Sequence, residues 1–216
     1  MGKKVYNTIK EQVSSELVEK KSKFIANIYY VESKEEAEQI IKEAKKKYFD
    51  ARHNCSCYRV IEDGNIVEKA SDDGEPSGTA GGPMLNILQK NNLCNVLVIV
   101  TRYFGGVLLG TGGLVRAYSD VTLKAIEQSK KLQITAGKQF EVKVNYSNLE
   151  SLKYYAKKND ISIVKIEYYN DIICNLEIKN DDVSKFLEDI EKRNINIIGY
   201  KKTCDKLVII KNDINL

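Results

Sequence analysis

Histidine, proline and arginine are scarce in this chain. One histidine (His53), two prolines (Pro76 and Pro83) and five arginines serve 216 residues, and tryptophan is absent. Also missing is any apolar run near the roughly 18 residues that a membrane-spanning helix needs. The first residues, Met-Gly-Lys-Lys-Val-Tyr-Asn-Thr, carry no apolar signal core, and Tyr6 stands where a myristoylation signal needs serine or threonine. The five cysteines have no disulfide-framework spacing, which fits a reducing compartment. A cytoplasmic protein without membrane contact is therefore expected. Charge of one sign is lacking too, with a net charge of +4. That falls short of the strong basic bias of dedicated nucleic-acid binders. With 43% hydrophobic residues the chain is not disordered.

What is scarce is also concentrated. Between Arg52 and Arg116 lie the only histidine, both prolines, ten of the thirteen glycines and four of the five arginines. Glycine is needed where φ is positive or where backbone must approach closely. Arginine, in a chain that otherwise carries positive charge on lysine, points to a use for the planar guanidinium fork. This stretch is the expected working surface.

Two domains are expected, 1–135 and 138–216, with Gly137 and Lys138 as the linker. In the first, Lys23 to Val31 is β-branched and aromatic and reads as a strand. Ser33 and Glu36 form a capping box for a helix running to about Tyr48. Strands from Asn54 to Ile61 and to about Ala70 flank an Asp63-Gly64-Asn65 turn. Pro83 fits the first turn of a helix that stops by Asn91 or Asn92. Asn95 to Thr101 is a continuous apolar run, the pattern of a strand buried on both faces. Leu114 to Gln128 is helical, and the mixture predicts an α+β domain. From Phe140 the predicted order is strand, helix, strand, strand, helix, strand. The helices lie at 148–158 and 182–193, and the last strand, 195–200, is extended or followed by 207–210. That is the ferredoxin-like βαββαβ plan.

Two glycine loops carry the candidate chemistry. The first, Ser-Asp-Asp-Gly-Glu-Pro-Ser-Gly-Thr-Ala-Gly-Gly-Pro-Met (71–84), crowds Asp72, Asp73 and Glu75 together. Such carboxylates can hold a divalent cation, cap a helix N-terminus, meet a partner, or form a solvated acidic turn; the spacing is not that of an EF-hand. The second loop joins the apolar strand to a helix. Its Gly112 and Gly113 N–H groups, with Arg102 and Arg116 on either side, resemble an anion cradle. Val115 occupies the third glycine position of a dinucleotide fingerprint, and no Lys-Ser/Thr follows Gly113, which excludes a Walker motif. RNA backbone is one source of phosphates for such a cradle. The same glycines also serve tight turns and close helix packing. His53, Cys55 and Cys57 alternate along a predicted strand and share a face. Strand neighbours about 7 Å apart do not converge on one zinc ion, so no metal site is expected, and the same distance removes a Cys57–His53 catalytic pair. Tyr103 offers a ring on which bases stack.

Together, Ser71–Met84, the Val-Thr-Arg-Tyr-Phe-Gly-Gly-Val-Leu-Leu-Gly-Thr-Gly-Gly-Leu-Val-Arg-Ala-Tyr stretch ending at Tyr118, and Ala51-Arg52-His53 resemble the YigZ/IMPACT family. The resemblance covers nearly the whole chain. It implies an N-terminal domain similar to the β-α-β units of ribosomal proteins and of elongation factor G domain IV, and a C-terminal domain similar to its domain V. Both similarities point to RNA or the ribosome. Eukaryotic members resemble regulators of translation under amino-acid stress that restrain the kinase phosphorylating an initiation factor. They carry a different second domain, so that pathway is not expected to carry over. Cys57 departs from the small residue common at its position.

The leading expectation is a non-enzymatic, two-domain protein that binds RNA or the ribosome and modulates translation. Arg52, His53, Arg102, Tyr103, Gly112, Gly113 and Arg116 are its expected RNA or phosphate contacts. Asp72, Asp73 and Glu75 position their loop or meet a protein partner. No cofactor, catalytic residue or metal ligand is expected. One rival is an enzyme acting on a phosphorylated small molecule, with the Gly112 turn as cradle and His53 or the acidic cluster as acid and base. A pocket enclosing His53, Asp73 and Arg102 is its mark. The other rival is a protein-interaction module using the acidic loop.

Overall fold

The computed structural model describes residues 4–210. It divides into two compact units, one running Tyr6–Lys131 and the other taking the chain from Leu132 on, together with Val5. The elements up to the division are β1 (Val5–Ile9), β2 (Val13–Glu19), β3 (Ser22–Tyr30), α1 (Lys34–Lys47), β4 (His53–Glu62), β5 (Asn65–Ser71), α2 (Gly81–Lys90), β6 (Val96–Tyr103) and α3 (Gly110–Gln128). Five of these strands form a sheet in the order β2-β3-β6-β4-β5, antiparallel at every pairing.

The central strand β6 explains the layering. Val96, Val98 and Val100 pack with Phe24, Cys55 and the apolar residues of α2 and α3. Leu97 and Ile99, pointing the other way, pack with Tyr58, Val60 and the α1 residues Ala37 and Ala44. A run apolar at every position usually marks a parallel strand. Here the pairing is antiparallel, and the helical cover on both faces is what demands the run. α1 is closed as its capping box predicts. Ser33 Oγ accepts the Glu36 N–H at 3.1 Å, and Glu36 Oε2 accepts the Glu32 N–H at 2.7 Å, one residue before the cap.

The second unit holds β7 (Lys131–Val144), a 3₁₀ turn (Tyr146–Asn148), α4 (Leu149–Lys158), β8 (Ser162–Tyr168), β9 (Ile172–Lys179), α5 (Asn180–Glu191) and β10 (Gly199–Ile210). Its strands lie β10-β7-β9-β8, all antiparallel. This is the ferredoxin-like plan, with the first and third strands in the middle. Phe140, Val142 and Val144 of β7 and Ile172, Cys174, Leu176 and Ile178 of β9 alternate inward against α4 and α5. Phe140 and Phe186 meet at 5.3 Å.

Two expectations need correction here. Gly137 and Lys138 are no linker, since both lie inside β7, paired with β9 and β10. Gly137 is required by close approach: a Cβ there would sit 2.5 Å from Val208 Cγ1 and 2.6 Å from the Ile178 carbonyl oxygen. Ile195 is buried but precedes the last strand, which starts at Gly199. Burial made Ile195 apolar, whereas pairing with β7 from Gly199↔Lys143 to Ile210↔Gln133 defines β10, through residues whose polarity hides it.

The loop after β6 presses on the turn between β2 and β3. A Cβ on Gly105 would overlap the backbone of Lys21 and Ser22, whereas one on Gly112 meets nothing within 4 Å. Gly105→Ala should therefore lower the unfolding free energy by about 1–3 kcal/mol, and Gly112→Ala should leave it within about 0.5 kcal/mol. Urea denaturation of both variants checks the contrast; equal stabilities would contradict the packing of this loop.

Candidate functional site

Sheet register brings the site together. Arg102 of β6 is the Cα partner of both Phe24 on β3 and His53 on β4. Directly paired residues share a face, and this one is covered by α2 and α3. Arg102 is only 5% exposed. Its guanidinium carbon lies 5.3 Å from the Phe24 ring centroid and 5.6 Å from that of Phe104. Nη1 donates to Glu75 Oε1 at 2.7 Å, and Nη2 donates to Ser22 Oγ at 3.2 Å. Glu75, from the loop after β5, is 8% exposed. Its Oε1 also accepts the Tyr118 hydroxyl at 2.9 Å. Taking both charges out of water is costly. The short ion pair, the second donor and the aromatic rings beside the cation offset that cost. The Phe24 and Tyr118 rings meet edge to face at 5.2 Å and 85°, a contact worth about 0.5–1.5 kcal/mol beyond burial.

The two aspartates hold the loop that delivers Glu75. Asp72 accepts N–H bonds from Gly78 at 2.8 Å, Ala80 at 3.0 Å and Gly81 at 2.8 Å. It thereby caps α2, whose own cap residue Ala80 makes no side-chain bond. Burial pushes the Asp72 carboxyl up, but the Gly78, Gly81 and Ala80 donors outweigh it and hold it below its ordinary value. Asp73 accepts the Asn54 N–H at 2.7 Å and pairs with Lys45 Nζ at 2.5 Å. Its backbone φ of 44° turns its carbonyl onto His53 Nδ1 at 2.8 Å. A carbonyl only accepts, so Nδ1 carries the proton. Nε2 then stands 3.9 Å from Glu75 Oε2.

Behind this cluster, Cys55 Sγ lies 3.3 Å from the Tyr118 hydroxyl and 2.9 Å from the Asp72 carbonyl oxygen. Burial pushes the Cys55 thiol up to about 12. Burial, with Cys55 and Glu75 beside it, also pushes the Tyr118 hydroxyl up. Both stay protonated near neutral pH, and Cys55 is no nucleophile.

The sequence-predicted residues thus separate into two groups. Arg102, His53 and Glu75 were expected at the surface, but they are turned inward and bonded to one another or to the loop. Glu75 takes an internal role, because its loop delivers it to Arg102 and Tyr118, and Arg102 lies on the α2/α3 side of the sheet with two of its nitrogens bonded internally. Arg52 and Arg116 remain exposed and, among the described residues, neither has an ion-pair partner. Arg52 lies 5.7 Å over the Phe104 ring, and the Tyr103 hydroxyl donates to Asp50 at 3.0 Å. α3 begins at Gly110 rather than Leu114, and its cap residue Leu109 makes no side-chain bond. The N–H of Gly112 is therefore among the unpaired first-turn donors, while that of Gly113 falls to the Leu109 carbonyl by the helix's own pattern. Ser22, Phe24, Phe104 and Tyr118 escaped the sequence analysis as site partners. Only the aromatic character of the last three signals them, and that equally describes core.

A cavity of about 390 Å³ opens beside the cluster, walled by Arg52, His53, Glu75, Arg102, Phe104 and Leu108 with neighbouring residues. It holds two of the three residues expected of an enzymatic pocket, with Glu75 in the place of Asp73.

The family model of the Impact N-terminal domain matches residues 20–126. The chain is similar to the IMPACT family member YvyE of Bacillus subtilis (strain 168), 34% identical over 183 residues that cover 85% of this chain and 84% of the relative. It is similar to an IMPACT homolog of Dictyostelium discoideum, 42% identical over 97 residues, 44% of this chain and 28% of that one. A crystal structure described as that of a hypothetical protein superposes with a TM-score of 0.61 at 28% identity, over 89% of this chain and 96% of the other.

The Asp72 cap generates a pH signature. A carboxyl held below its ordinary value contributes stability that is complete above about pH 3.9 and disappears as pH falls through its lower folded value. Asp72→Ala should cost about 0.5–2 kcal/mol at neutral pH, and the gap to the parent protein should narrow in acid. Urea melts across pH give the curve; a gap that persists unchanged in acid would contradict the capping role.

Proposed function

We propose, for a chain that belongs to the IMPACT family, that it serves translation in the cytoplasm by binding RNA or the ribosome rather than by catalysis. The observation that carries this reading is the division of the motif residues. The carboxylates Asp72, Asp73 and Glu75 are consumed in capping and pairing, and Cys55 and Tyr118 are held protonated. What faces outward is suited to holding phosphate: Arg52, Arg116, and the first-turn N–H groups of α3 ending at Gly112. Arg116 follows Gly112 by four residues, so both lie on one side of the helix. The translational role of eukaryotic family members supplies the setting, and the net charge of +4 fits a weak, salt-sensitive interaction.

Arg102→Ala is unsuitable as a test, because it strands Glu75. The informative variant is Arg52→Ala with Arg116→Ala, both at exposed positions. Co-sedimentation with ribosomes across a salt series should show binding that weakens with salt. In the double variant binding should be weaker and the log–log salt slope shallower by about 2. Wild-type protein that stays in the supernatant at low salt would defeat the ribosome reading. An unchanged slope in the variant would remove these arginines from the interface.

A further inference from the structure

The cavity beside His53 has features that phosphate-backbone contact does not use. Its volume of about 390 Å³ falls within the roughly 300–1,000 Å³ of small-molecule sites. One side is apolar: Phe104, Leu108, Leu109 and Leu114, with Leu108 82% exposed. On the other side stand two guanidinium groups, Arg52 and Arg102, against one carboxylate, Glu75. Gly110 and Thr111 also line the cavity, so the uncapped N-terminus of α3 opens onto it, adding the positive end of a helix dipole. A second observation is independent of the helix. Arg102, nine-tenths buried in the wall, has an Nε donor with no acceptor among the described residues. An orphaned buried donor is rare and calls for a partner.

We propose that this cavity binds a small organic anion, its carboxylate or phosphate held by Arg52 and the first turn of α3, its apolar body packed on Phe104 and Leu108. The amphiphilic wall sets the class. A bare inorganic anion leaves Leu108 in water, and a neutral apolar compound leaves the positive side unmatched. The proposal shares Arg52 and the first turn of α3 with the ribosome reading, and Leu108 and Phe104, which phosphate-backbone contact does not use, distinguish the two.

His53 provides the readout, because it is the only histidine in the chain and it lines the cavity. Its imidazole proton resonances can be followed by NMR while the intact protein is titrated with phenyl phosphate, benzoate, inorganic phosphate or benzyl alcohol at constant ionic strength and pH. A saturable shift is expected with phenyl phosphate or with benzoate, and whichever binds more tightly identifies the anionic head. Inorganic phosphate and benzyl alcohol should each bind at least about tenfold more weakly. Arg52→Ala and Leu108→Ser, both at exposed positions, should each weaken binding of the better probe by about tenfold, the equivalent of one lost charge-assisted contact or one lost apolar anchor. Absence of a saturable shift with either aromatic anion would overturn the proposal. So would equal affinity for inorganic phosphate, which would leave only a phosphate-backbone site, or binding unaffected by both substitutions.

Discussion

Inside the first unit, a guanidinium group and a carboxylate meet where water has been excluded, 2.7 Å apart. Arg102 is carried by the central strand and Glu75 by a loop, and the pair joins segments that are distant in sequence. Ser22 at the start of β3, Phe24 on β3, Phe104 in the second glycine loop and Tyr118 on α3 all touch one of its two members. Removing either partner leaves the other as a buried uncompensated charge, which costs about 3–5 kcal/mol. Both glycine loops meet at this contact, which also forms part of the cavity wall.

The same contact accounts for the unusual composition between Arg52 and Arg116. Arginine is used at 102 because a planar fork can serve Glu75 and Ser22 at once while lying against aromatic rings. The glycines around it admit backbone contact, as at Gly105 against Lys21. Asp72 and Asp73 hold the acidic loop by accepting backbone N–H groups, which fixes Glu75 and the tautomer of His53 together. With the motif's inner residues occupied in this way, Arg52 and Arg116 are the ones left exposed, and the ribosome reading rests on that separation.

Much of the fold was legible in the sequence, and the reasons are local. The Ser33–Glu36 capping box, the Pro83 helix start and the two-sided apolar run of β6 each act over a few residues, and each appears in the structure as expected. The part of β7 before Phe140 and the middle of β10, residues 201–206, were not legible, because their pairing partner rather than their own pattern makes them strands. Gly137 shows the same failure: its chain context suggests flexibility, and its spatial context forbids a side chain. In the site, Arg102, His53 and Glu75 could be recognised as special from residue type alone. Whether Arg102 and His53 faced solvent or each other depended on the pairing of β4 with β6, and Glu75 reached them through the loop after β5; no local pattern encodes either. The Phe24 ring joined the site by the register of β3 with β6, and the Tyr118 hydroxyl by the packing of α3 on that face.

The central claim is that Arg102 and Glu75 act as one unit, and a double-mutant cycle tests it most directly. Arg102→Met, Glu75→Gln and the double variant should be compared by urea denaturation at neutral pH. The account predicts that each single change is severely destabilising, by roughly 3–5 kcal/mol. The double variant should cost less than the two losses added together, with a coupling of at least about 1 kcal/mol. Single losses that simply add would mean that the two residues stabilise the fold independently, and the organising role assigned to their contact would be wrong.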